Sequence, residues 1–292
     1  MPRVTVVLPT CDRPFLLPRA VESVLLQTEA DFELLLVDNN RRAPPVEHHP
    51  AFSRWRRDPR VRLIRPEVMR NAALARNHGL AMARGDWISY LDDDDAWRPA
   101  KLERQMALVA RSGAELVLCG ATFHLSGRRR KVQCDVPVFR GDDLLLRTRW
   151  NTPLLFHRRR ENLQFDENLS PGEDAELAHR LLARTGSTEV QNVPEALVDI
   201  YPQEGLRVNS NAAPVRLSAS RILALRRNFY SRRARRCYVL RTLLAIAKLR
   251  GDSRSCLSLA ARLCRESRGG EWRAGANAVV STFGVFPSRW IS

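Results

Sequence analysis

A short apolar run that stops in four consecutive aspartates constrains this 292-residue chain more than any other feature. Trp87 to Leu91 carries aromatic and β-branched residues and reads as a buried strand. Asp92, Asp93, Asp94 and Asp95 follow, and Pro99 is placed to open the next helix as its first residue. Four carboxylates at the end of a buried strand repel one another unless a cation neutralises them. A hard divalent ion with oxygen ligands, Mn²⁺ or Mg²⁺, meets that need and also takes substrate phosphates as ligands. Runs of like charge are elsewhere usually solvated loops. The strand before and the helix after favour a ligand site, because α/β sheets gather ligands at the carboxyl ends of their strands.

The same pattern recurs upstream. Val4–Leu8 and Glu33–Val37 are continuous apolar runs, as expected of parallel strands buried on both faces. The first runs into the loop Pro9-Thr10-Cys11-Asp12-Arg13-Pro14, and the second stops at Asp38-Asn39-Asn40. Leu16, Leu17, Ala20, Val21, Val24 and Leu25 recur at helical spacing between them. Residues 41–60 read as irregular, Val61–Ile64 as a third strand, and Asn71 to Ala83 as a helix ended by Gly85. Strands and helices alternating at this length imply βαβ units and a mostly parallel sheet. Three strand ends then share one polar rim able to hold a base, a ribose and a metal-bound diphosphate. Further on, Leu154–Phe156 reads as an apolar strand, preceded by Trp150-Asn151-Thr152, which is placed to face an acceptor; His157 and His179 read as structural histidines, with a ligand or acceptor contact as the alternative.

Taken together, VTVVLPTCDRP, LLLVDNN and ALARNHGLAMARGDWISYLDDDDAWRPAKLE resemble, in order and spacing, the opening of a family 2 glycosyltransferase of the GT-A fold. FDENLSPGEDAELAHRLL is similar to that family's acceptor-side segment and carries the resemblance to about Tyr201. The resemblance implies an α/β GT-A fold and an inverting, metal-dependent transfer from a nucleotide-sugar donor, a uridine diphosphate sugar, to a hydroxyl acceptor in a bacterial surface polysaccharide or glycoconjugate. It implies that Pro9, Thr10, Asp12, Arg13, Asp38, Arg76, Asn77, Asp92 and Asp93 lie on the donor side. Asp94 and Asp92 would hold the metal, Asp174 would be the catalytic base, and Glu173 and Trp97 would lie on the acceptor side. Two positions depart from the family pattern: the common Asp-Asp is Asp38-Asn39 here, and no histidine follows His179, so the loop after Ile200 lacks the expected metal-side His.

Charge separates a body from a tail. Of 48 Lys+Arg and 32 Asp+Glu, residues 215–292 hold 17 and 3, so a net +14 of the total +16 sits there. Residues 1–214 are expected to form the catalytic domain and residues 215–292 a basic extension of amphipathic helices. Those helices suit either a cap packed on the body or peripheral contact with an anionic membrane carrying a lipid-linked acceptor. The apolar stretch Ala276–Phe286 with Trp290 would dip into such an interface. The six cysteines show no zinc-site or CxxC spacing, and no secretory signal is read at the start. These features point to free thiols and a cytoplasmic protein, soluble or on the inner face of the membrane. A nucleotidyltransferase would want a glycine-rich phosphate loop after the first strand, which Pro9–Pro14 lacks. A non-catalytic polyanion- or nucleic-acid-binding protein is disfavoured by the nearly neutral body and by the lack of a recognition motif. No GxGxxG follows a strand, which disfavours a dehydrogenase.

Overall fold

A computed structural model describes residues 1–68, 71–125, 128–169, 171–201, 212–249 and 251–266. The apolar runs form the centre of a ten-stranded sheet. β1 (Val4–Thr10), β2 (Phe32–Asp38), β3 (Val61–Ile64) and β4 (Trp87–Tyr90) are parallel, in the order β3-β2-β1-β4. Every residue of β1 and β2 is buried, which is why both read as unbroken apolar runs rather than alternating ones. α1 (Leu17–Leu25) and α3 (Ala72–Met82) cross between these strands. α2 (Phe52–Trp55) lies within the stretch expected to be irregular and buries Trp55 completely, its ring stacked 5.1 Å from His49.

Beyond β4 the sheet is mixed. β5 (Ala96–Trp97) precedes α4 (Lys101–Ser112), and β6 (Leu116–Leu125) runs parallel to β10 (Glu189–Ile200). β7 (Arg128–Val132) and β8 (Val138–Arg140) add antiparallel edges, and α5 (Asp143–Leu146) follows them. β9 (Phe156–Arg158) sits antiparallel between β4 and β6. This corrects two expectations. The strand expected over Leu154–Phe156 starts only at Phe156, Leu154 closing a 3₁₀ turn from Thr152, and α4 begins at Lys101 instead of at Pro99, whose carbonyl accepts the Thr28 N–H at 2.9 Å.

α6 (Glu173–Thr185) packs against α7 (Ala212–Leu225), and α8 (Arg232–Leu249) and α9 (Ser253–Glu266) follow. The boundary expected at 214/215 therefore falls inside a helix. Ile222, Tyr230 and Ala234 of this region belong to the main core, while Cys237, Leu240, Leu244 and Leu263 form a small core of their own. Among the described residues no helix is long and apolar enough to cross a membrane. The stretch 276–286 and Trp290 lie outside the described residues.

The turn joining α3 to β4 is tightly closed. The Gly85 N–H donates to Thr5 Oγ1 at 2.9 Å, and its carbonyl accepts Arg159 Nε at 2.8 Å. A Cβ at Gly85 would lie 2.6 Å from the backbone of both Val4 and Thr5, the first strand of the sheet. Gly85→Ala is therefore expected to lower unfolding free energy by about 1–3 kcal/mol. Urea denaturation should show a lower midpoint with an unchanged slope.

Candidate active site

The four aspartates turn out of β4 through a bend closed by the Asp95 N–H on the Asp92 carbonyl at 3.2 Å. The bend sorts them into two pairs. Asp93 and Asp95 point inward and are each 5 % exposed. Asp93 accepts from Thr10 Oγ1 at 2.8 Å, the Cys11 N–H at 3.1 Å and Arg13 at 3.0 Å. Asp95 accepts the Tyr201 N–H at 2.9 Å. Asp92 and Asp94 face the crevice, with side chains 31 % and 18 % exposed. Arg13 spans Asp93 and Asp94, the latter at 2.8 Å. Arg19 donates to the Asp94 carbonyl and lies 3.8 Å over the Tyr201 ring. Burial pushes the Asp93 carboxyl up to about 6 against the pull of Arg13. Burial, then the charge of Asp92, raises Asp94; burial, then Asp92 and Asp94, raises Asp95 well above the usual carboxylate range.

A second carboxylate pair faces the first across Arg76. This arginine sits on α3, whose N-terminus is capped by Asn71 accepting the Leu74 N–H at 2.9 Å. Its guanidinium is buried and donates to Asp92 Oδ1 at 2.6 Å and to Glu173 Oε1 at 3.2 Å. Burial opposes its charge, but Asp92 and Glu173 more than compensate and hold it protonated. Asp174, next to Glu173 in the first turn of α6, accepts the N–H of Ala175 at 2.7 Å and takes no part in the Arg76 ion pairs. Burial, and then the Glu173 charge, push its carboxyl up to about 7. Gly172 caps α6 at φ 114°, a conformation glycine tolerates, and its carbonyl accepts Ser218 Oγ of α7 at 2.9 Å.

Several residues expected to meet ligand brace the site instead. Pro9 and Thr10 are buried in β1. Asp12, at φ 55°, gathers the N–H groups of Arg41, Arg42 and Ala43 on one oxygen at 2.9, 2.8 and 2.8 Å. Asp38 is 1 % exposed and gives its two oxygens to the N–H groups of Asn40 and Val46 at 3.0 and 2.9 Å. Asn77 pairs with both backbone groups of Phe165 at 2.8 and 2.9 Å, so it clamps the acceptor-side segment to α3 and does not face the crevice. Asp93 likewise serves the loop after β1. Trp97 corrects an acceptor-side assignment: it is 4 % exposed, pairs with Val198 in the sheet, and lies 3.9 Å beneath the ammonium of the fully buried Lys101. Trp150 packs edge-on to His179 at 5.0 Å and donates to the Leu144 carbonyl at 3.0 Å. His157 and His179 are buried, and burial pulls both down to about 4. The loop after Ile200 lies outside the described residues from 202 to 211. Arg19, Tyr201 and the ion-paired trio Arg98, Asp199 and His124 were not anticipated, being polar or aromatic residues with no local pattern. A separate cavity of about 860 Å³ lies elsewhere, between Ile88, His157 and Leu181.

The donor set bears on the metal. Among the described residues no three His, Cys, Asp or Glu side chains are grouped to hold an ion. Asp92 and Asp94 are nevertheless two partly exposed, all-oxygen ligands that repel each other across one crevice. Such a pair fits Mg²⁺ or Mn²⁺, whose other positions are filled by water and substrate phosphates.

Comparison with known proteins bears on the family and the fold. The profile of "Glycosyl transferase family 2" matches residues 5–168. The chain is 32 % identical over 222 residues to the succinoglycan biosynthesis protein ExoO of Rhizobium meliloti, a match covering 70 % of this chain and 62 % of that protein. It is 34 % identical over 113 residues to the Escherichia coli UDP-Glc:alpha-D-GlcNAc-diphosphoundecaprenol beta-1,3-glucosyltransferase WfgD, covering 37 % of this chain and 42 % of that one. The chain thus spans less than two thirds of either relative. Its fold superposes with a TM-score of 0.68 and 14 % identity on Staphylococcus aureus TarS 1–349 in complex with UDP-GlcNAc, over 94 % of this chain and 83 % of that one. The α/β architecture is therefore the GT-A fold, and the chain, matched to the family over more than half its length, belongs to glycosyl transferase family 2.

Proposed function

We propose that this protein moves a sugar from a uridine diphosphate donor to a hydroxyl acceptor, with inversion at the anomeric carbon, in the assembly of a bacterial surface polysaccharide. The observation that carries this reading is the division of the crevice into two carboxylate sets held apart by one buried guanidinium, Arg76. Inverting transfer needs such a division. One set must meet the charge that grows on the leaving diphosphate, and the other must take the acceptor proton. Asp174 suits the second role, since it lies outside the Arg76 ion pairs and its raised carboxyl is matched to neutral pH. As the acceptor oxygen attacks the anomeric carbon and the bond to the diphosphate breaks, Asp174 accepts the hydroxyl proton. Glu173 pairs with Arg76 at 3.2 Å and ties the first turn of α6 to α3. Asp92 and Asp94 would hold a divalent metal, which supplies positive charge to the diphosphate without proton transfer. Arg13 and Arg19 flank Asp94 and hold that arm of the loop. Asp38 and Asp12 shape the pocket for the base by bracing residues 40–46.

The names of WfgD and of the TarS complex associate those proteins with UDP-sugars, which supports the choice of donor. The name of ExoO supports the polysaccharide context. We assign the protein to the cytoplasm, peripheral to the inner face of the membrane. Val239 and Leu243 are exposed one turn apart on α8, within the basic region, and suit contact with an anionic surface.

Titration calorimetry tests the division of labour. UDP should bind the native chain in the presence of Mn²⁺ and fail to bind Asp94→Ala; metal-independent binding to both would overturn the metal assignment. Asp174→Asn should keep UDP affinity and lose roughly 10²–10⁴-fold in transfer rate. The pH profile follows from the sign of the shift. Asp174 works deprotonated and its carboxyl is raised to about 7, so the rate should climb through that pH and then level. An inflection near the ordinary carboxylate value would place the base elsewhere. Flotation should carry the full chain with phosphatidylglycerol vesicles and not with phosphatidylcholine, and Val239→Asp with Leu243→Asp should release it; equal behaviour on both lipids would discard membrane contact.

A further inference from the structure

Positive charge collects at a second place, outside the carboxylate crevice. Arg130 of β7, Arg149 and Arg241 of α8 line a cavity of about 220 Å³ whose apolar walls include Val136, Phe139 and Leu146. Arg147 and Lys131 stand at the same cavity. Arg147 is spoken for by Asp143 at 3.1 Å. Among the described residues, the guanidinium groups of Arg130 and Arg149 have no hydrogen-bond or ion-pair partner, and Arg241 donates only to the Leu146 carbonyl. Asp135 lines the cavity but forms no ion pair with any of them. Burial, then the charges of Arg241 and Arg130, pull the Arg149 guanidinium below its usual range, so these groups crowd one another. Partly buried arginines without carboxylate partners carry an uncompensated cost. An anion offering several oxygens removes it through charge-assisted hydrogen bonds.

The cavity is small and its back wall is rigid. Its volume is below the roughly 300–1,000 Å³ of sites that enclose a whole small-molecule ligand, so it suits a headgroup rather than a nucleotide. Gln133 adopts a left-handed φ of 57° behind it. Its side chain accepts the Arg149 N–H and donates to the Cys119 carbonyl at 3.3 Å, and its own carbonyl accepts Asn192 Nδ2 at 2.8 Å. Asn192 also ties Val136 at 2.6 Å. The cavity and Asp174 are joined through α6: Trp150, next to Arg149, packs edge-on at 5.0 Å against His179, five residues beyond Asp174 on that helix. Tyr238, one turn before Arg241 on α8, feels both the Arg241 guanidinium and the Asp174 carboxylate; burial, with Asp174 adding, pushes its phenol up to about 12.

We propose that Arg130, Arg149 and Arg241 bind a phosphate ester carried by the acceptor, anchoring it so that its hydroxyl meets Asp174. This rests on the reading of the crevice as a uridine diphosphate donor site with Asp174 as base. The ester could belong to a lipid diphosphate or arrive as free phosphate, and the two sources are separable. Decyl diphosphate and inorganic pyrophosphate are titrated into the full chain presaturated with UDP and excess Mg²⁺, so that the donor crevice is filled. Decyl diphosphate should bind the native chain, and Arg149→Gln and Arg241→Gln should each weaken it by at least about tenfold. UDP affinity in both variants should stay within about twofold, since the sites share no side chain. Arg149→Gln removes no side-chain hydrogen bond or ion pair among the described residues, so it guards against loss of fold. Pyrophosphate that competes with decyl diphosphate and shows the same loss in the variants supports a phosphate site. Pyrophosphate binding without decyl diphosphate binding overturns the acceptor assignment in favour of free phosphate. Decyl diphosphate affinity unchanged in both variants overturns the cavity while leaving glycosyl transfer intact. Failure of UDP to bind the native chain overturns instead the reading on which the proposal rests. Phosphatidylglycerol vesicle binding that is lost in the variants while decyl diphosphate binding is kept would overturn the proposal and assign the cluster to the membrane.

Discussion

The guanidinium of Arg76 is the contact on which the rest of the site depends. A buried positive charge is tolerable only when its acids are close and well placed, and Arg76 has two, Asp92 and Glu173, from segments 81 residues apart. Removing one member of such an arrangement typically costs about 3–5 kcal/mol, because the remaining charge is left buried and uncompensated. The same charge keeps the two carboxylate sets from repelling one another apart. α3 is stapled to the acceptor-side segment around it by Asn71 on the Glu167 carbonyl at 2.8 Å and by the Asn77–Phe165 pair. One helix thereby sets the spacing between the strand-end aspartates and the first turn of α6.

The crevice remains negative after these pairings. Asp92, Asp93, Asp94, Asp95, Glu173 and Asp174 outnumber Arg13, Arg19 and Arg76, and four of the six carboxyls are raised. The tight turn at Asp92–Asp95 sorts the excess: inward residues stabilise the loop after β1 and the end of β10, and outward ones face the crevice.

Much of this was legible in the sequence. β1, β2 and β4 announced themselves because strands buried on both faces are unbroken apolar runs, and the aspartate run marked a strand end. The position of each strand end told where a side chain lies but not where it points. Asp12, Asp38, Asp93 and Asn77 all sit at the crevice yet turn to backbone amides or to neighbouring loops. Trp97 misled for a similar reason, since a tryptophan beside an acidic loop is as easily a floor as a lid. β9 was misplaced because its three residues include His157, which is buried through Tyr90 at 2.9 Å and so breaks the apolar pattern. Arg149 and Arg241 could not be paired from sequence at all, being brought together only by the packing of α8 on α5.

The basic tail is the clearest case of composition misdescribing structure. Its charge sets it apart in sequence, yet its first helix packs into the main core. Ser218 of α7 fills the space beside Gly172 so closely that a Cβ there would lie 2.7 Å from its hydroxyl oxygen. Glycine at 172 and serine at 218 are thus one device: the first lets the chain enter α6 at φ 114°, and the second holds the carbonyl at that entry. Arg226, 7 % exposed, donates to the Ser187 carbonyl and lies 3.9 Å over Phe229, so even the arginines of this region are partly structural. The orientation of Asp174 therefore depends on residues beyond position 214. A chain cut at that point would keep every carboxylate of the crevice and lose the helix that holds the entry to α6.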